Sequence, residues 1–340
     1  MASWRFAETE SQLADASLTS AIEVEDGRAA SVVERGANVT PAEARLAAAE
    51  RNADLRPWLA FSACSAIWGS TFLVISIGND ALAPVWAATL RLVLATVLLG
   101  AWSLARGEAL PTGAALRAAL IYGVLQFGVN FPLLYWGEKT VPSGLSAVMY
   151  ATLPMTSAFL ARAFGMERLT LPKVAGAITA FAGVVVLFSP SLSGRISPGG
   201  LLAIFAAATL SGGGNIVLKR GPRQKPIGAN AAGCAIGAVI SAGTSFAMRE
   251  PHLLPTTVAT LGPVLYLTFA GSMGAFVLMS WLVNHWTVTR VSYISVLVPV
   301  IAMALGSLLH HEPITLANLA GTALVLAGVL IGMRRPASER

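Results

Sequence analysis

Charge is scarce in this chain of 340 residues: only 12% are Asp, Glu, Lys or Arg, while 55% are hydrophobic and the mean hydropathy is +0.68. That balance excludes an ordinary soluble domain, in which about a quarter of the residues are charged. The two cysteines, Cys64 and Cys234, lie inside apolar runs, so neither a disulfide framework nor a metal site is expected. Carboxylates are scarcer still beyond residue 56. Asp80, Glu108, Glu138, Glu167, Glu250, Glu312 and Glu339 all fall at or beyond the ends of apolar runs. A paired-aspartate intramembrane protease is excluded on that ground, and no carboxylate within a run offers itself as a proton carrier. Proton coupling would have to use Glu138, at the end of the third run, or His285. His310-His311-Glu312 lacks the His-Glu-x-x-His spacing that sets two metal ligands on one helical face, and no phosphate-cradling Gly-x-x-x-x-Gly-Lys-[Ser/Thr] loop is present. No catalytic residue, metal or cofactor is expected, nor is ATP drive.

What the chain does have is apolar length. Ten runs, near 58–77, 84–105, 114–136, 143–164, 171–189, 198–218, 227–248, 261–283, 291–310 and 315–333, are each long enough to cross a bilayer as a helix of about 20 residues. The joints carry breakers such as Asn79-Asp80, Pro111-Thr112-Gly113, Ser197-Pro198-Gly199 and Gly221-Pro222. The fold class is therefore an all-α polytopic membrane protein. Residues 1–56 differ in kind, with ten acidic residues and six arginines. They read as a cytoplasmic extension without a secretory signal, in which Thr40-Pro41-Ala42-Glu43 has capping-box spacing for a short helix near 41–54. With the N-terminus inside, 19 basic residues fall on the cytoplasmic side and three on the other, which puts both termini in the cytoplasm of a cell (inner) membrane protein. The net charge of +6 thus reports topology, and no nucleic-acid partner is expected.

A repeat organises these runs. Residues 146–184 recur, degenerate and without a gap, at 291–329: Pro154 aligns with Pro299, Glu167 with Glu312, Gly176 with Gly321 and Gly183 with Gly328. Ten of 39 positions are identical, where the composition alone would give roughly three or four. Five runs per half is an odd number, so the halves are inverted, the arrangement of secondary transporters that alternate access to a midplane site. The expected division is 57–190 and 191–335, with 336–340 as a tail.

Several side chains stand out physically. Arg91 lies about 10 Å along the second run from Pro84; so deep a cation faces water, a substrate carboxylate or helix-end carbonyls. Tyr122, Gln126 and Asn130, at i, i+4 and i+8, form a polar stripe on the third run that should face the interior. Trp68, Ser70, Thr71, Tyr150, Asn215 and Tyr293 are candidates for the same cavity, which would suit a zwitterionic or amphipathic small molecule. Trp136 and Trp281 read as interfacial. Pro154 and Pro299 each free a carbonyl mid-helix, at Tyr150 and Ser295, and so mark a hinge or a pocket edge. The seven-residue spacing of Gly176 and Gly183, and of Gly321 and Gly328, gives faces for close helix packing, within the bundle or across a homodimer. Glu167 and Glu312 read as structural anchors, with Thr170 and Thr315 as N-caps.

Trp68-Gly69-Ser70-Thr71-Phe72, Arg91-Leu92, the stretch 154–165 followed by Glu167-Arg168-Leu169, and then Gly176 and Gly183 resemble the EamA repeat of the drug/metabolite transporter superfamily. The second copy is similar through Pro299, Glu312-Pro313-Ile314, Gly321 and Gly328, but has Gly213-Gly214-Asn215 where the first has Trp68-Gly69-Ser70. The resemblance, over about 58–333, implies an inverted-repeat carrier of small organic solutes, commonly an exporter of amino acids or related metabolites. Broad drug efflux and a non-transporting receptor or scaffold are the alternatives.

Overall fold

A computed structural model describes residues 55–166, 170–188, 196–222, 224–286, 291 and 294–332. Glu167, Tyr293 and the expected helix near 41–54 lie outside them. The described residues are helical in ten runs, as the hydropathy predicts. They are α1 (Arg56–Ala81), α2 (Pro84–Ala105), α3 (Gly113–Gly137), α4 (Ser143–Ala163), α5 (Leu171–Phe188), α6 (Pro198–Arg220) and α7 (Pro226–Ala247). Next come α8, built from Val258–Tyr266, Leu267–Gly274 and Ala275–His285, then α9 (Ile294–His310) and α10 (Leu316–Gly332). Six are long and apolar enough to span a bilayer unaided, and shorter apolar helices make up the rest.

The ends are set by local chemistry. Pro84, Pro198 and Pro226 open α2, α6 and α7 at positions where the missing N–H has no intrahelical partner to lose. Ser197 Oγ accepts from Gly200 N–H, Thr257 and Thr260 form a reciprocal capping box for α8, and Thr315 Oγ1 accepts from Asn318 N–H. The equivalent cap at Thr170 is not made: among the described residues its hydroxyl has no partner, and its carbonyl accepts from Val174 N–H. α2, α4, α7 and α9 all end on a left-handed residue, Gly107, Gly165, Arg249 and His311. In each, the next N–H returns to a carbonyl of the last turn, for example Glu312 N–H to Gly306 at 3.1 Å.

Packing repeats between the halves. α5 and α10 cross through their glycine faces: a side chain at Gly176 would strike the backbone of Gly328 and Gly332, and one at Gly183 the backbone of Gly321 and Val325. The two Gly faces therefore meet each other within the chain. α2 packs on α7, where Thr89 Oγ1 donates to Ser241 Oγ at 3.0 Å, and α4 on α9 through Gly144 and Met303. α3 meets α7 as α8 meets α2, and α3 meets α6 as α8 meets α1 through Cys64 and Ala275. Each of these contacts has its counterpart under exchange of the halves.

One symmetry is invisible in the hydropathy. α3 widens into a π-helical turn at Val124–Val129, and α8 does so at Leu267–Gly274. Such turns carry an extra residue and concentrate at functional sites. Shifting the first by the repeat offset lands it inside the second.

Candidate functional site

Arg91, on α2, meets the wide turn of α8 at Gly271 and Ser272 and meets α3 just beyond its wide turn, at Phe131 and Tyr135. It is 5% exposed, and its guanidinium is held from three sides. Nε donates to Ser272 Oγ at 3.1 Å, Nη1 donates to the Tyr135 hydroxyl at 3.3 Å, and the plane lies 4.7 Å from the centre of the Phe131 ring. Gly271 lets the α8 backbone come close on the remaining side, since a methyl group there would sit 3.1 Å from Nη2 and 3.6 Å from Thr71 Oγ1. Among the described residues no carboxylate pairs with Arg91 and Nη2 makes no hydrogen bond. A buried cation fixed by neutral groups with donors to spare can take an anionic oxygen.

The polar stripe on α3 behaves differently from its spacing. The π turn rotates the residues beyond it by roughly 100° relative to a 3.6-residue helix. Tyr122 therefore donates to Asn230 Oδ1 of α7 at 3.1 Å, Gln126 Oε1 accepts from Ser211 Oγ of α6 at 2.7 Å, and Asn130 Nδ2 donates to the Tyr150 hydroxyl of α4 at 2.6 Å. Gln126, Asn130, Tyr150 and Ser211 remain together, with Phe72 edge-on to Tyr150 at 5.8 Å and Asn130 Oδ1 buried without a partner among the described residues. Tyr122 turns away to α7.

The other candidates divide. Thr71 borders Arg91, whereas Ser70 turns to α8 and shares a 2.6 Å hydrogen bond with Tyr266. Trp68 packs partly buried against the core. Asn215 is exposed, one turn beyond Ser211 on α6. α4 is broken at Ala151-Thr152, and Pro154 occupies the first turn of its second piece; Pro299 sits inside the continuous α9. Sequence reasoning misses Ser272, Tyr135, Phe131 and Ser211. Tyr135 beside Trp136 reads as interfacial, and Ser272 and Ser211 sit in small-residue stretches that read as packing.

A second polar group closes the end where α3 meets α4 and α9 meets α10. Glu312 Oε1 and Oε2 accept from Ser143 N–H at 2.8 Å and Gly144 N–H at 3.2 Å, so a carboxylate of the second half caps α4 of the first. Glu250 does the same for α2 at Val85 and Trp86. His310 bridges Asp80 at 3.1 Å and Glu312 at 3.8 Å. Glu138, expected at a helix end and outside the core, is instead 4% exposed, with neither oxygen hydrogen-bonded among the described residues. Burial, with the Glu312 carboxylate adding to it, holds the Glu138 carboxyl well above the usual carboxylate range. His285 is exposed and stacked on Trp281.

Comparison with known proteins gives these features a context. The EamA-like transporter family profile matches residues 56–189 and again 198–333. The "Uncharacterized inner membrane transporter YedA" of Escherichia coli strain K12 is 31% identical over 271 residues, 78% of this chain and 87% of that protein. A "Probable amino-acid metabolite efflux pump" of Salmonella typhimurium is 29% identical over 278 residues, 78% of this chain and 91% of its own. One solved crystal structure, 21% identical, aligns with a TM-score of 0.56 over 80% of this chain and 94% of its own, which speaks to the fold alone. Matched along both repeats and built as apolar helices related by inversion, the chain belongs to the EamA-like transporter family and is a multi-pass membrane transporter.

Proposed function

We propose that this transporter exports amino acids or related carboxylate-bearing metabolites across the cell membrane by alternating access, with both termini in the cytoplasm. The observation that carries the reading is Arg91: buried, oriented by Ser272, Tyr135 and Phe131, and facing no carboxylate among the described residues. A solute carboxylate completes that site with a two-pronged charge-assisted contact. Gln126, Asn130, Tyr150 and Ser211 supply neutral donors and acceptors for the rest of the molecule, and Thr71 lies by Gly271 on the Nη2 side of the guanidinium. The name of the Salmonella typhimurium relative, an amino-acid metabolite efflux pump, agrees with this class of solute. The break in α4 before Pro154, and Pro299 within α9, are the points at which the halves bend against each other.

A thermal-shift screen of the purified chain against amino acids, nucleosides and cationic dyes tests the solute class. Stabilisation by amino acids and not by their decarboxylated amines is the expected result. Stabilisation by cationic dyes alone would point to broad drug efflux and overturn the proposal.

A further inference from the structure

We propose that Glu138 is a proton-binding site, paired with Glu312, that locks one end of the transporter shut while it holds its proton. The position carries the idea. Glu138 comes directly after the last turn of α3, both its oxygens are buried, and among the described residues nothing donates to either. Among the described residues an ionised carboxylate in that setting would have no donor or countercharge bonded to it. Two further atoms on the same end of the bundle are also buried and unpartnered among the described residues, Ser143 Oγ and Asn79 Oδ1, and the second of these can only accept, as it would from a carboxyl O–H.

The surrounding charges agree. Glu312 is the carboxylate whose charge acts on Glu138, and it is already committed to Ser143 and Gly144 N–H. His310, from α9, lies between Glu312 and Asp80 of α1 and pairs with those two carboxylates. Lys139 and His311 are exposed, and Arg91 of α2 reaches α3 only as far as Tyr135. Two carboxylates sharing one buried site cannot both ionise without cost, so the unbonded member carries the proton.

Loss of that proton has a mechanical consequence. A second negative charge next to Glu312 opposes the one contact by which the α9–α10 joint caps α4 across the two halves. At this end Gly137 packs against Ile204 and the Gly200 carbonyl, and Val141 against Gly200, and these contacts form the seal that would part. Tyr135 joins this end to the solute site: its hydroxyl receives Arg91 Nη1, its carbonyl receives Asn79 Nδ2, and Glu138 lies one turn further on. With both termini cytoplasmic this end is external, so the proton leaves to the outside as the end opens, and re-enters before it closes. The inference rests on the transport reading only for that consequence.

The test uses no solute, so its failure is separate from failure of the proposed substrate class. The full chain in phosphatidylcholine–phosphatidylglycerol liposomes is titrated by infrared spectroscopy between about pH 5 and pH 9. The expected result is a protonated-carboxyl band that persists near neutrality, is absent from Glu138→Gln and returns, titrating, in Glu138→Asp. In parallel, Ser143→Cys is labelled with a membrane-impermeant maleimide, the parent chain with its buried Cys64 and Cys234 serving as background. Labelling should rise at least roughly tenfold with pH across the titration of that band, the population change that one pKa unit of difference between closed and open ends carries. In the Glu138→Gln background it should stay slow throughout. A neutral-pH band untouched by Glu138→Gln, labelling indifferent to pH, or a band abolished by sodium at fixed pH, as a metal-cation site requires, would each overturn the proposal.

Discussion

Replacing Arg91 with Met removes the guanidinium but keeps an unbranched apolar stem of similar bulk. In the parent, Nε and one Nη1 hydrogen are spent on Ser272 and Tyr135, leaving Nη2 and the second Nη1 hydrogen for a ligand. Each charge-assisted hydrogen bond contributes about 1.5–3 kcal/mol, and desolvating the solute carboxylate takes back part of the pair, so a net loss of about 2–4 kcal/mol is expected. That corresponds to an affinity roughly 30- to 1,000-fold weaker. The fold should survive, because Ser272 and Tyr135 lose a donor while the membrane interior loses a buried charge. The assay is thermal stabilisation by an amino acid that shifts the parent. At a concentration near a hundred times its parent dissociation constant the ligand stabilises the parent by about 2.7 kcal/mol, and a hundredfold weaker site retains only about 0.4 kcal/mol. Arg91→Lys, a point charge without the fork, should fall between the two. An Arg91→Met chain still stabilised like the parent, by amino acids and not by their amines, would refute the assignment of the carboxylate to this residue.

Other expectations come from packing and capping. Gly183→Val should abolish folded protein, because its side chain would meet the Gly321 and Val325 backbone, whereas Gly100→Ala, where nothing lies within 4 Å, should raise stability by about 0.5–1 kcal/mol; thermal melts of both in detergent decide it. Glu312→Gln replaces one of the two acceptor oxygens with an N–H₂ that faces a backbone N–H of Ser143 or Gly144, and should cost about 2–3 kcal/mol in chemical denaturation. Because Glu138 holds its proton more tightly folded than unfolded, its contribution is full below its ordinary value of 4.5 and is lost as pH rises to its raised value. The melting temperature should therefore decline across that window in the parent and decline less in Glu138→Gln.

The helical frame is legible in the sequence because bilayer-length apolar runs and their Gly/Pro joints are a coarse signal. Gly176, Gly183, Gly321 and Gly328 are equally readable: close backbone approach leaves few residue types to choose from. The site is only partly so. Arg91 stands out as a charge in an apolar run, but Ser272 and Tyr135, which orient it, are ordinary residues for their surroundings. The stripe of Tyr122, Gln126 and Asn130 presumes a 3.6-residue period, and the π turn at Val124–Val129 sends its members to three different helices. Glu138 reads as lying at a helix end outside the core, since depth along a helix says nothing of the loop folded over its end. Thr170 and Thr315 share a repeat position, yet only Thr315 caps with its side chain among the described residues.

Counterflow tests the central claim most directly. Proteoliposomes loaded with an unlabelled amino acid that stabilises the purified chain are diluted into a trace of the same compound, labelled. A carrier alternating about the Arg91 site predicts a transient, saturable accumulation of label that Arg91→Met abolishes. Binding of the amino acid to the parent chain with no accumulation would contradict it, leaving a receptor or scaffold in place of a transporter.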